Sequence, residues 1–198
     1  PTLAVSFSAW GVSIVLGLTI AVLGLAKSRI AQAINRAYVN VFRSIPVIVM
    51  LLWVYYGLPV SLGINLSVFG SAVIALSLCD AAFEAEIFRA GIQSIEDDQM
   101  ESARSLGFTP WQSFRYVILP QAFRRILPPL GNQFVYILKI SSLVSVIGFA
   151  DLTRKANELN VSEYRPLEIY TILIIEYLLI IMLASWLVKK LEQAMKTY

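Results

Sequence analysis

Histidine is absent from the 198 residues, cysteine occurs once, and Asp, Glu, Lys and Arg together make up only 15%. Each scarcity closes a class of function. Without histidine there is no imidazole general base, no Ser-His-Asp triad and no His-ligated metal. The single thiol, Cys79, forms neither an intrachain disulfide nor a CxxC site. The dipeptide Gly-Lys never occurs, so the chain has no P-loop for binding ATP. A net charge of +3 is too small to point to nucleic acid. What remains is apolar: hydrophobic residues reach 58%, and such a chain belongs in a lipid bilayer.

The charges are unevenly spread. Residues 1–26 and 44–79 carry none, 126–150 has only Lys139, and 169–188 has only Glu176. A spanning helix needs about 20 mostly apolar residues. The run from Ser44 is interrupted by Gly57, Pro59 and Gly63 and then continues through Leu78 to Ala90, so it reads as two spans. The sequence therefore predicts an all-α integral membrane protein with five transmembrane helices, at about 2–26, 45–60, 69–94, 126–149 and 168–188, in a single domain over 1–198. Continuous rather than alternating apolar runs exclude a β-barrel. Residues 1–26 lack the basic start and small-residue cleavage site of a signal peptide. Their small residues Ser13, Gly17, Ala21 and Gly24 invite close approach of another helix. Pro1 sits almost at the membrane edge, which leaves open what precedes it.

Basic residues orient the spans. Lys27, Arg29, Arg36 and Arg43 follow the first helix, Arg104, Arg115, Arg124 and Arg125 follow the third, and Lys189, Lys190 and Lys196 follow the fifth. Loop 59–68 has none, and loop 150–167 balances its bases with acids. The expectation is an N-terminus outside and a C-terminus in the cytoplasm, as an odd number of spans requires. Trp10, Trp53, Tyr55 and Tyr56 suit the outer interface, Trp186 and Tyr198 the inner one.

Segment 96–120 carries helix punctuation. Asp98 and Glu101 form an acidic variant of a capping box, Thr109, Pro110 and Gln112 repeat the signal, and Gly107 suits the C-cap between them. Pro120 reads as the stop of the second helix. Two short cytoplasmic helices with a bend are expected, carrying Met100, Leu106, Phe108, Trp111 and Phe114. Either they dock a partner or they cap their own bundle.

Glu101, Ser102, Ala103, Gly107, Val117 and the pair Leu119-Pro120 resemble the EAA loop of ABC importer permeases. The segments YVNVFRSIP (38–46), YYGLP (55–59), AEIFRAGIQSI (85–95), LPQA (119–122), LPPLGN (127–132) and LKISSLVSVI (138–147) are similar to those of the polar amino acid permeases. The resemblance runs along essentially the whole chain. It implies a permease subunit of an amino acid importer in a bacterial inner membrane, paired with a second permease subunit. It further implies two ATP-binding subunits that hold ATP and magnesium, and an extracytoplasmic substrate-binding protein. The chain itself then has no cofactor and is not an enzyme, and the bent helices become coupling helices seated on the ATPase through Glu101, Ser102, Ala103 and Gly107. The rival readings are an ATP-independent secondary transporter or channel, and a membrane scaffold.

Ionisable residues inside spans are costly and mark candidate sites. Glu86 and Arg89, three residues apart, suit a structural ion pair. Asp80 and Glu84 lie about 40° apart on one helix face and have no local cation. Either they line a midplane pocket that attracts a cationic group of a polar or charged amino acid, or they are neutralised in place, one of them by Lys139. The family usually carries Asn near position 80 and no acid near 84. Lys139, Ser141 and Ser142 stand where it has a Lys and a Thr-Ser pair, and either contact substrate or pack helices. Gly131 and Asn132, after Pro128 and Pro129, read as an irregular start to the fourth span, either flanking a gate or marking a plain helix entrance. Glu176, alone in the fifth span, faces either the subunit interface or the pathway.

Overall fold

Helix α1 (Thr2–Leu25) has no charge and no internal proline, and its backbone ladder runs unbroken until Ala26 turns extended. It packs most extensively on α4 (Val68–Gln93), which begins where the Ser67 side chain accepts from the Gly70 N–H. Small residues make this contact: Ala9, Ser13, Gly17 and Ala21 recur every fourth position and are all buried. A Cβ at Gly17 would stand 2.8 Å from Glu84 Cβ and 3.1 Å from the Ala81 carbonyl oxygen. Lipid tails are as apolar as leucine, so it is this close packing, rather than exclusion of water, that associates the helices. Gly24, the last member of the predicted stripe, faces α2 instead, where its missing Cβ makes room for Asn35.

The computed structural model describes residues 1–95 and 97–196, with the backbone alone for Asp97, Asp98 and Lys196. The capping role expected of Asp98 and the interfacial role of Tyr198 lie outside the described residues.

Residues 27–44, expected as a basic loop, contain a helix, α2 (Arg29–Ser44), capped by Ser28, whose Oγ accepts from the Ala31 N–H. Arg29, Arg36 and Arg43 recur every seven residues and share a face. The opposite face carries Asn35, which donates to the Ile20 carbonyl at 2.8 Å, and Tyr38, whose hydroxyl donates to the Leu78 carbonyl at 2.8 Å. The arginines lower the apolar average of the segment but leave its helical periodicity intact, and that periodicity is what folds it. α3 (Val47–Leu62) follows at 99° across Pro46, with a π turn at Trp53–Gly57. At 1.5 Å per residue α3 is about 24 Å long, short of a roughly 30 Å hydrocarbon core. Among the described residues four helices are therefore long and apolar enough to span alone, and α2 with α3 makes a fifth only as a bent pair.

α5 (Asp97–Ser105) ends at Gly107, whose φ of +84° is the left-handed conformation that caps helices. The Gly107 N–H donates to the Arg104 carbonyl and the Phe108 N–H to the Ala103 carbonyl. Thr109 and Gln112 then form both bonds of a capping box. The helix they open, α6 (Pro110–Ile147), does not stop at Pro120. A π turn over Phe114–Ile118 precedes the proline, loosening the ladder where a ring would otherwise meet the preceding carbonyl. Gln121 Nε2 donates to the Val117 carbonyl at 3.0 Å, occupying an acceptor beside the break. Pro128, Pro129 and Gly131 are also inside α6 rather than at an irregular entrance. Each proline lines a cavity, where backbone freed from the ladder is tolerated at membrane depth. Gly131 is a packing residue, since a Cβ there would come within 2.7 Å of Val188. The last turns of α6, Ser141–Ile147, tighten to a 3₁₀ helix that ends at Gly148, φ +84°.

The expected loop 150–167 contains α7 (Leu152–Glu163). Asp151 caps it, accepting from the Arg154 N–H at 2.8 Å. Burial pushes the Asp151 carboxyl above the ordinary carboxylate range, against the pull of hydrogen bonds from Arg154, Thr153 and Tyr177. Asp151→Ala is expected to destabilise this end of the bundle by about 1 kcal/mol, read as faster amide exchange confined to α7. α8 (Pro166–Lys196) then runs roughly 46 Å, longer than the predicted 168–188 span.

Besides a small α6–α8 cluster around Val135 and Ala184, two apolar clusters fill the interior. One joins Val5, Ala9, Leu76, Ile137 and Val144; the other joins Ala21, Ala85, Phe88, Ala122 and Ile126, at the end that carries the Gly107 bend.

Candidate functional site

Along α1, α4 and α6 the two clusters are separated by a step in which the side chains are polar. Ser13 donates from Oγ to Asp80 Oδ2 at 2.8 Å, sharing its one proton with the Trp10 carbonyl. From α6, Gln133 Nε2 donates to Asp80 Oδ1 at 2.5 Å. Asp80 is 1% exposed and thus sits at a three-helix junction. Glu84, one turn further along α4, is completely buried, and its carboxyl oxygens make no hydrogen bond of ordinary geometry, having Asp80 and Ser13 as their polar neighbours.

The sequence offered a pocket lined by both acids, or neutralisation of one of them by Lys139. The structure places neither arrangement. Asp80 and Glu84 lie behind the wall, and Lys139 is exposed and paired with neither. Six residues separate Lys139 from Gln133, roughly 240° around the helix, so it faces away from α4. Ser141 and Ser142 turn their hydroxyls back onto the Leu138 and Lys139 carbonyls, at 2.8 and 2.9 Å, within the 3₁₀ segment. Glu176 is exposed beside α7, across a small cavity from Lys155.

A buried polar group without a partner costs about 1–3 kcal/mol, and an apolar replacement of like volume removes that cost. Glu84→Met is accordingly expected to raise the thermal midpoint of the purified protein by a few degrees. A lowered midpoint would show that the Glu84 carboxyl is held by its Asp80 and Ser13 neighbours rather than left unpartnered.

The open cavity nearest this junction measures about 610 Å³. It runs from Gln133, at the depth of Asp80, to Ser94 and Arg125, beside the α4–α5 connection. α2 contributes Arg43, whose guanidinium lies over the Phe83 ring, 5.0 Å from its centroid. α4 contributes Glu86, bonded to Arg89 at 2.6 Å. Arg125 donates from Nη1 to the Ser94 carbonyl and, among the described residues, forms no ion pair with a carboxylate. The wall therefore presents two cationic groups, one carboxylate already engaged by Arg89, and one amide. Arg43, Arg125 and Gln133 are functional candidates that the sequence reading missed. In the sequence the arginines serve only as markers of orientation. Gln133 carries no charge and so does not stand out in the sequence, although an amide in the middle of an apolar span is a usable signal.

At the Gly107 corner Ala103 is buried and Glu101 and Ser102 are exposed. Leu106 and Trp111 stand 78% and 66% exposed next to them, whereas Met100 and Phe114 turn inward onto the second cluster. Gln121 Nε2 also reaches Gln99 Oε1 at 3.3 Å, tying α5 to α6. The corner is thus a fixed turn carrying an apolar patch beside an acid, with both of its helices held to the bundle.

The family described as "Binding-protein-dependent transport system inner membrane component" matches residues 13–197. The glutamine transport system permease protein GlnP of Escherichia coli (strain K12) is 37% identical over 84% of this chain and 77% of its own length. The probable glutamine ABC transporter permease protein GlnM of Bacillus subtilis (strain 168) is 38% identical, covering 98% of this chain and 91% of the relative. Among solved structures, one described as an amino acid ABC transporter with histidines superposes with a TM-score of 0.91 at 41% identity. It covers 98% of this chain and 90% of that one.

Proposed function

The chain belongs to the family of binding-protein-dependent transport system inner membrane components, and from that premise we propose that it forms half of the translocation pathway of an ATP-driven amino acid importer. The observation that carries this reading is the cavity between Gln133 and Arg125, of a size that suits a small ligand. It starts at mid-depth and leads toward the Gly107 corner, so a solute held there and the element that receives mechanical input share one wall, built from α4 and α6. Relatives named for glutamine transport support a polar amino acid as the solute.

In this reading α1, the bent pair α2–α3, α4, α6 and α8 form five crossings, with the N-terminus outside and the C-terminus and the Gly107 corner in the cytoplasm of a bacterial cell. The arginines of α2 and those around the corner then lie on the cytoplasmic side, as the positive-inside rule asks. A second permease subunit closes the cavity, two ATPase subunits with their ATP and magnesium sit under the corners, and a binding protein delivers solute outside. Leu106 and Trp111 enter the ATPase surface, Glu101 and Ser102 supply polar contacts, and Gly107 fixes the angle. Closure of the ATPases pushes α5, and the continuous α6 transmits the push to the cavity wall without an intervening joint at Pro120.

Reconstitution tests this. The chain, its ATPase and its binding protein in liposomes are expected to take up a radiolabelled amino acid only when ATP is enclosed on the ATPase side. Uptake by the chain alone, indifferent to ATP, would overturn the reading in favour of a secondary transporter.

A further inference from the structure

The polar junction and the cavity meet at one side chain. Gln133 is the residue of α6 that both lines the cavity and bonds to Asp80. An amide has a donor end and an acceptor end, and they differ in what they can recognise. Asp80 Oδ1 takes the Nε2 end, while Ser13 holds Oδ2 from the other side. Oε1 is left as the amide's acceptor, and among the described residues no side chain or backbone N–H donates to it.

We infer that Gln133 reads the ammonium group of the transported amino acid through its side-chain carbonyl, and that Asp80 is the positioning residue that keeps this carbonyl turned to the cavity. The inference rests on the importer reading and deepens it. The rest of the wall agrees with an amino acid zwitterion. Arg43 and Arg125 offer two guanidinium groups to a carboxylate, and guanidinium recognises a carboxylate bidentately. Glu86 is already engaged by Arg89, and among the described lining side chains the amide carbonyl is the acceptor that stands at the Asp80 end of the cavity. The buried acids thus act on the solute indirectly: Asp80 sets an amide, and Glu84 remains in the α1–α4 contact.

The test is equilibrium binding to the detergent-solubilised permease–ATPase complex without binding protein. The probes are L-glutamine, L-glutamate and L-arginine, each beside the same acid lacking its α-amino group. Wild type is expected to prefer an amino acid over its des-amino analogue. Gln133→Met, close in volume and without the carbonyl, should cut that preference by about tenfold or more, since a hydrogen bond to a charged group is lost. Asp80→Asn lets the amide take either orientation and should cut it by about two- to threefold, as the competent population falls. Affinity for the des-amino analogue should hold in both variants. A residue that merely supported the fold would weaken both ligands alike, and that result would overturn the inference. So would an unchanged preference in Gln133→Met, or a wild-type complex that binds none of the probes. Assembly is checked by gel filtration, and if Asp80→Asn fails to assemble, Gln133→Met alone decides. ATP-dependent uptake by wild type tests the importer reading separately: uptake with an unchanged preference would leave that reading standing and remove this one.

Discussion

Gly17→Leu is expected to leave almost no assembled protein in the membrane. The Cβ alone would sit 2.8 Å from Glu84 Cβ, 3.1 Å from the Ala81 carbonyl oxygen and 3.2 Å from the Ala85 nitrogen. Two of these three atoms are backbone, so rotating a side chain gives no relief, and α1 must move off α4. Overpacking a tight contact costs about 1–3 kcal/mol even where neighbours can adjust. Here the separation would also stretch the Ser13–Asp80 bond and the Ser77–Ala9 bond, at 2.8 and 3.1 Å. Gly17→Ala is the graded control, with the same contact but no further atoms, and should give an intermediate yield. Membrane-extracted protein recovered as a single gel-filtration peak is the measurement. Wild-type recovery of the leucine variant would mean that α1 and α4 are not this close in the membrane.

Gly107→Val should lower ATP-driven uptake by an order of magnitude or more while leaving the helical bundle assembled. Nothing lies within 4 Å of a Cβ at this position, so the substitution creates no clash with a neighbouring element. The penalty is conformational: φ of +84° suits glycine, and a β-branched residue held there is strained by roughly 1–2 kcal/mol. Relief comes from swinging the backbone out of the left-handed region, which breaks the Phe108-to-Ala103 and Gly107-to-Arg104 bonds that close α5. Leu106 and Trp111 then leave their relative positions, and the surface proposed to receive the ATPase is lost. Gly107→Asn, which tolerates this conformation better than other side chains, should retain more uptake than valine. Yield and thermal midpoint of the permease separate loss of coupling from loss of fold. Full uptake by the valine variant would sink the coupling role of the corner.

Much of this could be read along the chain because its causes are local. Apolar runs predict spans at 2–26 and 69–94, and the helices occupy Thr2–Leu25 and Val68–Gln93. A spacing of four small residues predicts a close helix contact, and Ser13, Gly17 and Ala21 make it. Gly107 and the Thr109–Gln112 box act within one or two turns, so their residue types suffice to place the corner. The misses share a cause too. α2 and α7 carry enough charge to resemble loops, yet their periodicity and caps, Ser28 and Asp151, make them helical. Pro120, Pro128 and Pro129 read as breaks because a proline costs a ladder bond. Whether the cost ends a helix depends on the π turn before it and the cavities beside it, which neighbouring residues cannot reveal.

Composition and local spacing established a membrane protein without its own phosphate-binding loop, with a first helix that another helix approaches closely and a capped corner. Each conclusion follows from composition or from spacings shorter than a few turns. Tertiary structure alone decided what the intramembrane charges do. Asp80 meets Ser13 and Gln133, 67 and 53 residues away. Lys139 turns away from both acids, because six residues of helix carry it most of the way round. Which groups face one another across a bundle depends on the rotation and depth of whole helices, set by every contact along them, and no local pattern encodes that phase.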